Sequence, residues 1–428
     1  MALGSDKLHI LIVGAGLAGL TVAQCLRKQG ISFEIYDSDP DLITRHGYAI
    51  AVHSITEDLV SAVPSDMPPL RESADHLFPL KLEPQMRFYG REGQVVGVQN
   101  TPETPCLRLN RLLFRKWLAT NIPIQFNKKL RSVEEGESGV TVYFEDGTSA
   151  SGDMLVGADG VHSKVREHML GRPNSETLNP IKGACVWGET RLSGAEMERQ
   201  LSLGHSAYGI ASKKINFFMF VGLNKVNQDL SGDFYWYICW DDDTSDRPDH
   251  WLQSASKSAK LEHVLKMTEP LEPRFREILL LTPTEGIVSE MPVFRDAVIP
   301  SLPSTGRVVA VGDAAHPMTP CKDNAMTRDA LNIRLTSPTV RGEGGMHAIR
   351  DALNLGKVIE RLRGSFPNGS QSALESYHQE ILERGGRAVE LSRNAHKHNQ
   401  EANAAIVAWG SVATYIPEEK VSLEQCKP

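Results

Sequence analysis

Residues 8–13, LHILIV, form an apolar run of the kind that a parallel strand buried on both faces requires. Beyond a glycine-rich turn, Leu17, Leu20, Ala23 and Leu26 repeat with helical spacing until Gly30 ends the pattern, and SFEIYD reads as the next strand. This is a βαβ unit. Farther on, GVTVYFEDGTSASG alternates apolar and polar positions about Asp146-Gly147, which predicts a hairpin. Met154–Val156 and Arg307–Val311 read as short buried strands, each running into a turn that carries an aspartate, Asp159 and Asp313. KINFFMFVGL (214–223) and GDFYWYICWD (232–241) predict adjacent strands of an antiparallel sheet dense in aromatic residues. Residues 372–402 are helical in period with a break expected at Gly385-Gly386, and Pro417 is expected to end the ordered chain.

The glycines of the first turn, Gly14, Gly16 and Gly19, have the spacing G-x-G-x-x-G. In a βαβ unit the first makes the tight turn, the second lets backbone approach a pyrophosphate, and the third lets helix and strand pack closely. Phosphates then rest on unpaired N–H groups at the helix's positive end. Asp37, at the tip of the second strand and 21 residues after Gly16, is placed to accept hydrogen bonds from a ribose diol. A carboxylate there disfavours a 2′-phosphate, leaving FAD or NAD as the dinucleotide.

The 428 residues exceed one simple core and fit two domains, and 41% hydrophobic with 23% charged residues is a globular composition. A net charge of −7 with no basic run argues against nucleic acid or an anionic membrane as a partner. Six scattered cysteines without a C-x-x-C pair give no zinc site and no redox motif, and suit a reducing compartment. Lys7 before an apolar run imitates a signal peptide, but the glycine spacing gives that run a different purpose. Residues 404–416 are about half the length that spans a bilayer. A cytoplasmic protein with no membrane anchor and no metal site is expected; its oligomeric state is not legible.

The order of three motifs, G-x-G-x-x-G, then the Asp159-Gly160 turn, then GDAAHP at 312–317, resembles the single-component, group A FAD-dependent monooxygenases related to p-hydroxybenzoate hydroxylase, and among them the fungal secondary-metabolism members. The resemblance runs over most of residues 7–400 and is weakest between 176 and 300. It implies an α/β fold, a Rossmann-like FAD-binding domain interrupted by an α+β antiparallel-sheet substrate domain, with C-terminal helices. The corresponding segments are 1–178 and 301–360 for the FAD-binding domain, 179–300 for the substrate domain, and 361–428 for the helices. It further implies FAD as cofactor, NAD(P)H as co-substrate, and O2 with a small organic substrate that is hydroxylated or epoxidised. Carried over by position, Gly14, Gly16 and Gly19 hold the pyrophosphate and Asp37 the adenosine ribose. Arg45 and Ala51 line the cofactor, Arg111 reaches it from its helix, and Asp159 and Asp313 sit at the strand ends. Gly344 and Gly345 form the turn beside the isoalloxazine ring and open a helix toward it. Arg111 also reads as one of four surface cations with Arg108, Arg115 and Lys116, Asp159 as a turn residue, and His316 as a residue that shapes its loop. Trp187, Arg191, Tyr235 and Trp236 are pocket candidates, Arg191 or a tyrosine being able to assist deprotonation of a phenol. A flavin oxidase or reductase of the same fold is the alternative.

One segment departs from the family. Between GDAAHPMTP and the glycine-rich turn lie Cys321–Val340, twenty residues where one suffices, and RDALN at 328–332 repeats at 350–354. The preferred explanation is a retained intron. Back-translated, Cys321-Lys322 can be TGT-AAG with a GTAAG donor, Leu335-Thr336 CTA-AC with a branch-point sequence, and Thr339-Val340 ACA-GTC with a CAG acceptor. Excision removes a whole number of codons and restores GDAAHPMTPFRGEGGMHAIRDALNL. A local duplication explains the repeat instead, but not the restored spacing, and a genuine insertion is the third origin; an inactive isoform because of the insert is a further alternative for the function.

Overall fold

His9–Val13 is the middle strand of a five-stranded sheet in the order Val308–Ala310, Met154–Gly157, His9–Val13, Ser32–Tyr36, Ile124–Gln125, and all its pairings are parallel. The computed structural model describes residues 8–43, 48–52, 55–90, 95–102, 105–211, 216–291, 293–318, 344–397, 414–417 and 419–427. Both faces of the middle strand are covered, which is why its sequence does not alternate. Ile10 and Ile12 point into a core shared with the helices Leu17–Gln29 and Gly344–Leu362. Leu11 and Val13 point the other way, into a core shared with the antiparallel strands Leu130–Glu135, Val140–Phe144 and Ser149–Gly152. The two helices meet at close range: a Cβ on Gly356 would lie 2.9 Å from that of Cys25, whose thiol burial pushes up to about 12.

A second, seven-stranded sheet runs in the order Ala184–Leu192, Gly232–Trp240, Phe218–Val226, Ala207–Ala211, Gln85–Tyr89, Val95–Gln99, Thr414–Tyr415. It is antiparallel except where 207–210 pairs with 86–89. Two of its strands therefore come from before residue 100, and one from the last residues, so the second sheet is wider than the 179–300 segment. Strict alternation sorts its aromatic residues. Phe234, Trp236 and Ile238 enter the core behind the sheet, while Tyr235 and Tyr237 join Phe88, Phe218, Phe220 and Trp187 on the front.

Two expectations about the C-terminal region fail for local reasons. The helix Ser370–Lys397 passes through Gly385-Gly386 unbroken. His316 packs on it there, and a Cβ on Gly385 would stand 2.5 Å from the imidazole, so glycine serves close approach and not a break. Nor does order end at Pro417: Val421, Leu423 and Cys426 are buried in the core behind the second sheet, and Arg87 donates to the Pro417 carbonyl. Among the described residues no helix is long and apolar enough to cross a membrane.

Candidate active site

Between the carboxyl ends of the parallel strands and the front of the second sheet lies a cavity of about 820 Å3. This is where open α/β sheets bind ligands, outside the strands' carboxyl ends. Although the chain is acidic overall, seven cationic side chains and three carboxylates among the described residues line the cavity. An anionic ligand suits that balance.

The first glycine turn forms one wall. Gly14 sits at φ +104, and a Cβ there would lie 2.1 Å from the Ala158 carbonyl oxygen. Gly19 presses on the Gly14 carbonyl, where a Cβ would come to 1.9 Å. Gly16 differs: a Cβ there meets nothing within 4 Å, because the residue faces the cavity. Gly16 is also the N-cap of the helix Leu17–Gln29, which has no side-chain cap and no acidic residue in its first turn. Its first N–H groups are thus left for a ligand. That open, uncapped cradle is what a pyrophosphate requires, so the residues present fit a dinucleotide.

These geometries separate two substitutions. Gly14→Ala is expected to cost roughly 2 kcal/mol or more of stability, since both φ and space forbid the methyl. Gly16→Val is expected to leave the melting of the flavin-free protein nearly unchanged and to abolish FAD binding, measured by melting curves and by flavin fluorescence titration. Equal destabilisation by both would contradict this division.

Asp37 is buried at the tip of its strand, its Oδ2 accepting from the Ala15 N–H at 2.7 Å and from Arg115 Nη2 at 3.1 Å, its Oδ1 from the Asp39 N–H at 2.8 Å. Arg115, one of the four cations that read as surface residues, is buried here and also donates to the Ala15 carbonyl at 2.8 Å. Arg108 is buried as well, donating to the Ala49 carbonyl at 2.9 Å and to the Tyr235 hydroxyl at 2.8 Å. Arg111 opens its helix, lines the cavity, and lies over the Tyr48 ring at 5.7 Å. Ala51 lines the cavity from the strand Ala49–Ala51; Arg45 falls outside the described residues.

The two later aspartates meet different fates. Asp159 lines the cavity, yet its carboxylate accepts from the Ser163 hydroxyl at 2.5 Å, from the Lys164 N–H at 2.7 Å and from the Val165 N–H at 3.2 Å, capping the helix Lys164–Leu170. Burial nevertheless raises its carboxyl above the ordinary range. Asp313 faces the cavity from the turn Gly312–Ala314, and burial raises its carboxyl too, against the pull of His316, Arg111 and Arg166. Arg166 ties both turns together: fully buried, it donates to the carbonyls of Val161, Asp313 and Ala314 and to the Asn174 side chain. No role for Arg166 is legible in the sequence; its place nine residues after the buried strand Met154–Gly157 was the available signal.

Asp351 was also missed, and it organises the region behind Asp313. It is 0% exposed in the helix Gly344–Leu362, and its Oδ2 accepts from the Gly312 N–H at 3.0 Å and from His316 Nε2 at 2.6 Å. Oδ1 accepts from Arg384 Nη2 at 2.6 Å. Burial would raise this carboxyl, but His316 and Arg384 hold it at about 2. His316, whose burial acts to lower its pKa, is raised by the same partner. The helix that begins at Gly344-Gly345 therefore points its N-terminus into the cavity while Asp351, two turns on, fastens it to the 312–316 turn.

On the opposite wall, Trp187, Phe220, Tyr235, Tyr237, Cys185 and Cys239 face the cavity from the second sheet. Tyr235 is where it was expected. Trp236 is not: it is fully buried on the other face, its indole N–H donating to Thr282 Oγ1 at 2.8 Å. Arg191 shares a face with Trp187 but stands four residues farther along the strand, outside the cavity, paired with Asp233 in solvent at 2.6 Å. His162 lines the cavity as well, its pKa lowered by desolvation and then by the charges of Arg295 and Arg166.

Comparison with known proteins agrees with this architecture. Residues 7–326 match a family described as FAD binding domain, the match ending inside the anomalous 321–340 segment. The FAD-dependent monooxygenase thnD of Trichoderma harzianum is 44% identical over 393 residues, covering 90% of this chain and 92% of the relative. In structure the chain is similar to 2,6-dihydroxypyridine-3-hydroxylase from Arthrobacter nicotinovorans, with a TM-score of 0.69 at 18% identity over 97% of this chain and 99% of that one. It is also similar to Klebsiella pneumoniae HpxO complexed with FAD and uric acid, with a TM-score of 0.66 at 20% identity over 94% and 89% of the two chains. At such identities the solved structures establish the fold. Together with the family match and the 44% relative, they show that the chain belongs to the FAD-dependent monooxygenases built on this FAD binding domain.

Proposed function

We propose that this FAD-dependent monooxygenase uses NAD(P)H and O2 to hydroxylate or epoxidise a flat, electron-rich small molecule held against the aromatic wall of the second sheet. The observation that carries the reading is a single cavity with two unlike halves, a cationic, backbone-rich cradle on the parallel-sheet side and a wall of Trp187, Phe220, Tyr235 and Tyr237 opposite. Bound FAD supplies the electron transfer from NAD(P)H to O2 and the delivery of one oxygen atom. The protein's own groups bind, orient and exclude water.

The N–H groups after Gly16 take the pyrophosphate, with Asp37 at the ribose and Ala51, Arg111 and Asp313 along the remaining length. Asp159 shapes the turn it caps. The N-terminus at Gly344-Gly345 turns the positive end of a long helix toward the cavity, where it would stabilise negative charge on a bound, reduced flavin. Stacked rings such as Phe220 and Tyr237, 5.1 Å apart, offer an aromatic substrate edge and face contacts while keeping water away. Arg108 fixes the Tyr235 hydroxyl beside that substrate, a polar point that sets its orientation. Of two proteins of this fold, one is named for 2,6-dihydroxypyridine and the other is complexed with uric acid, both small planar rings, which supports a substrate of that shape.

The test is a screen of phenols and fused-ring aromatics under 18O2 with NADH and NADPH. Product carrying one labelled oxygen is expected. Reduced pyridine nucleotide consumed with only labelled hydrogen peroxide formed across the screen would favour the flavin oxidase alternative.

A further inference from the structure

Cys185 and Cys239 are 54 residues apart in sequence and directly opposite on the antiparallel strands Ala184–Leu192 and Gly232–Trp240. Both are thiols, and both line the cavity. The Cys239 thiol donates to Cys185 Sγ at 3.0 Å. Directly opposed antiparallel residues have Cα atoms about 4.5–5.5 Å apart, inside the roughly 4.4–6.8 Å span that a disulfide bridges. Closing the bond thus asks for side-chain rotation and no shift of either strand.

The next pair on the same face is Trp187 opposite Tyr237, whose rings are 5.6 Å apart in the aromatic wall. Two further oxidisable side chains, Met86 and Met318, line the same cavity. We propose that Cys185 and Cys239 form a peroxide-reducing dithiol on the wall of the active cavity, which is oxidised ahead of the methionines around it. One thiolate sulfur attacks an oxygen of hydrogen peroxide, the O–O bond breaks, and water leaves behind a sulfenic acid. The second sulfur displaces the sulfenic hydroxyl as water and the S–S bond forms. Two thiols and one peroxide give one disulfide and two waters; sulfur loses the two electrons that peroxide gains, and a small dithiol reverses the change. The chemistry of the pair needs only the peroxide. That the peroxide arises within the cavity, from O2 reduced without oxygen transfer, rests on the proposed function.

The experiment uses the full chain, reduced and then exposed to graded hydrogen peroxide, quenched by alkylation and read by intact mass and peptide mapping. Loss of two hydrogens with a linked peptide pair joining Cys185 to Cys239, reversed by dithiothreitol and preceding sulfoxide at Met86 and Met318, is the expected result. Cys185→Ser and Cys239→Ser should each abolish the link and bring methionine oxidation forward at lower peroxide. Oxidation of the methionines with both thiols still open to alkylation, or a link to another cysteine, would overturn the proposal. A parallel arm replaces added peroxide by NADPH or NADH in air. A bridge with added peroxide but none in that arm keeps the dithiol and rejects its internal peroxide source.

Discussion

Asp351→Ala is expected to lose about 3–5 kcal/mol of stability and most of its bound FAD, because it leaves the buried His316, the partly buried Arg384 and the Gly312 N–H without their shared acceptor. Asp351→Asn loses less, since an amide oxygen can still accept from the Gly312 N–H. The pH dependence separates this charge cluster from simple packing. His316 is raised above its ordinary range, so its stabilising contribution is complete below that range and disappears as pH rises through the raised value. Asp351 is held at about 2, so its contribution is complete above the ordinary carboxylate range and disappears only as pH falls toward that value. Wild-type stability should therefore fall on the alkaline side as His316 deprotonates, and Asp351→Asn should lack that step. Arg384, His347, Glu380 and Asp313 surround the pair; the first of these is itself raised by Glu380 and Asp351 and stays charged throughout. Melting temperatures of the flavin-free protein from about pH 5 to 9, beside flavin content, decide it. An alkaline limb that persists unchanged in Asp351→Asn would remove His316 as its origin.

How much of this was open to the sequence depends on whether a feature is local. The first βαβ unit was legible because glycine spacing, strand burial and helix period each lie within one short window. The strand-end aspartates were legible by motif. Which side of a strand an aromatic residue takes was not: the run Phe234–Tyr237 is apolar on both faces, and only its register against the neighbouring strands sends Tyr235 to the cavity and Trp236 behind the sheet. Arg191 needed the length of the cavity as well as its face. Asp351, Arg166 and Arg384 are ordinary helix residues in sequence; their burial and pairing come from elements between eight and well over one hundred positions away. The second sheet's strands at 85–99 and 414–415 were missed for the same reason, since nothing within them announces a partner.

Replacing Cys321–Val340 by a single phenylalanine should tighten FAD binding by about tenfold or more. The segment itself lies outside the described residues, but both of its flanks are informative: Met318 and Gly344 line the same cavity. Twenty-five residues, 319–343, thus separate these two wall residues in sequence, and the replacement cuts that number to six. Loop-closure entropy alone changes by about 0.6 kcal/mol per doubling, so two doublings give roughly 1.2 kcal/mol, nearly a factor of ten if closure is completed only on the flavin. A substantially larger gain means that the twenty residues obstruct the site and do not merely lengthen its edge. An equal affinity in the two proteins means that the insert is accommodated and belongs to a working enzyme. Sequencing the transcript across codons 312–355 tells which form is made: a product shortened in frame, with phenylalanine at the join, identifies a retained intron. Only the long form, binding FAD as tightly as the shortened one, would make duplication or insertion the origin of an active variant of this family.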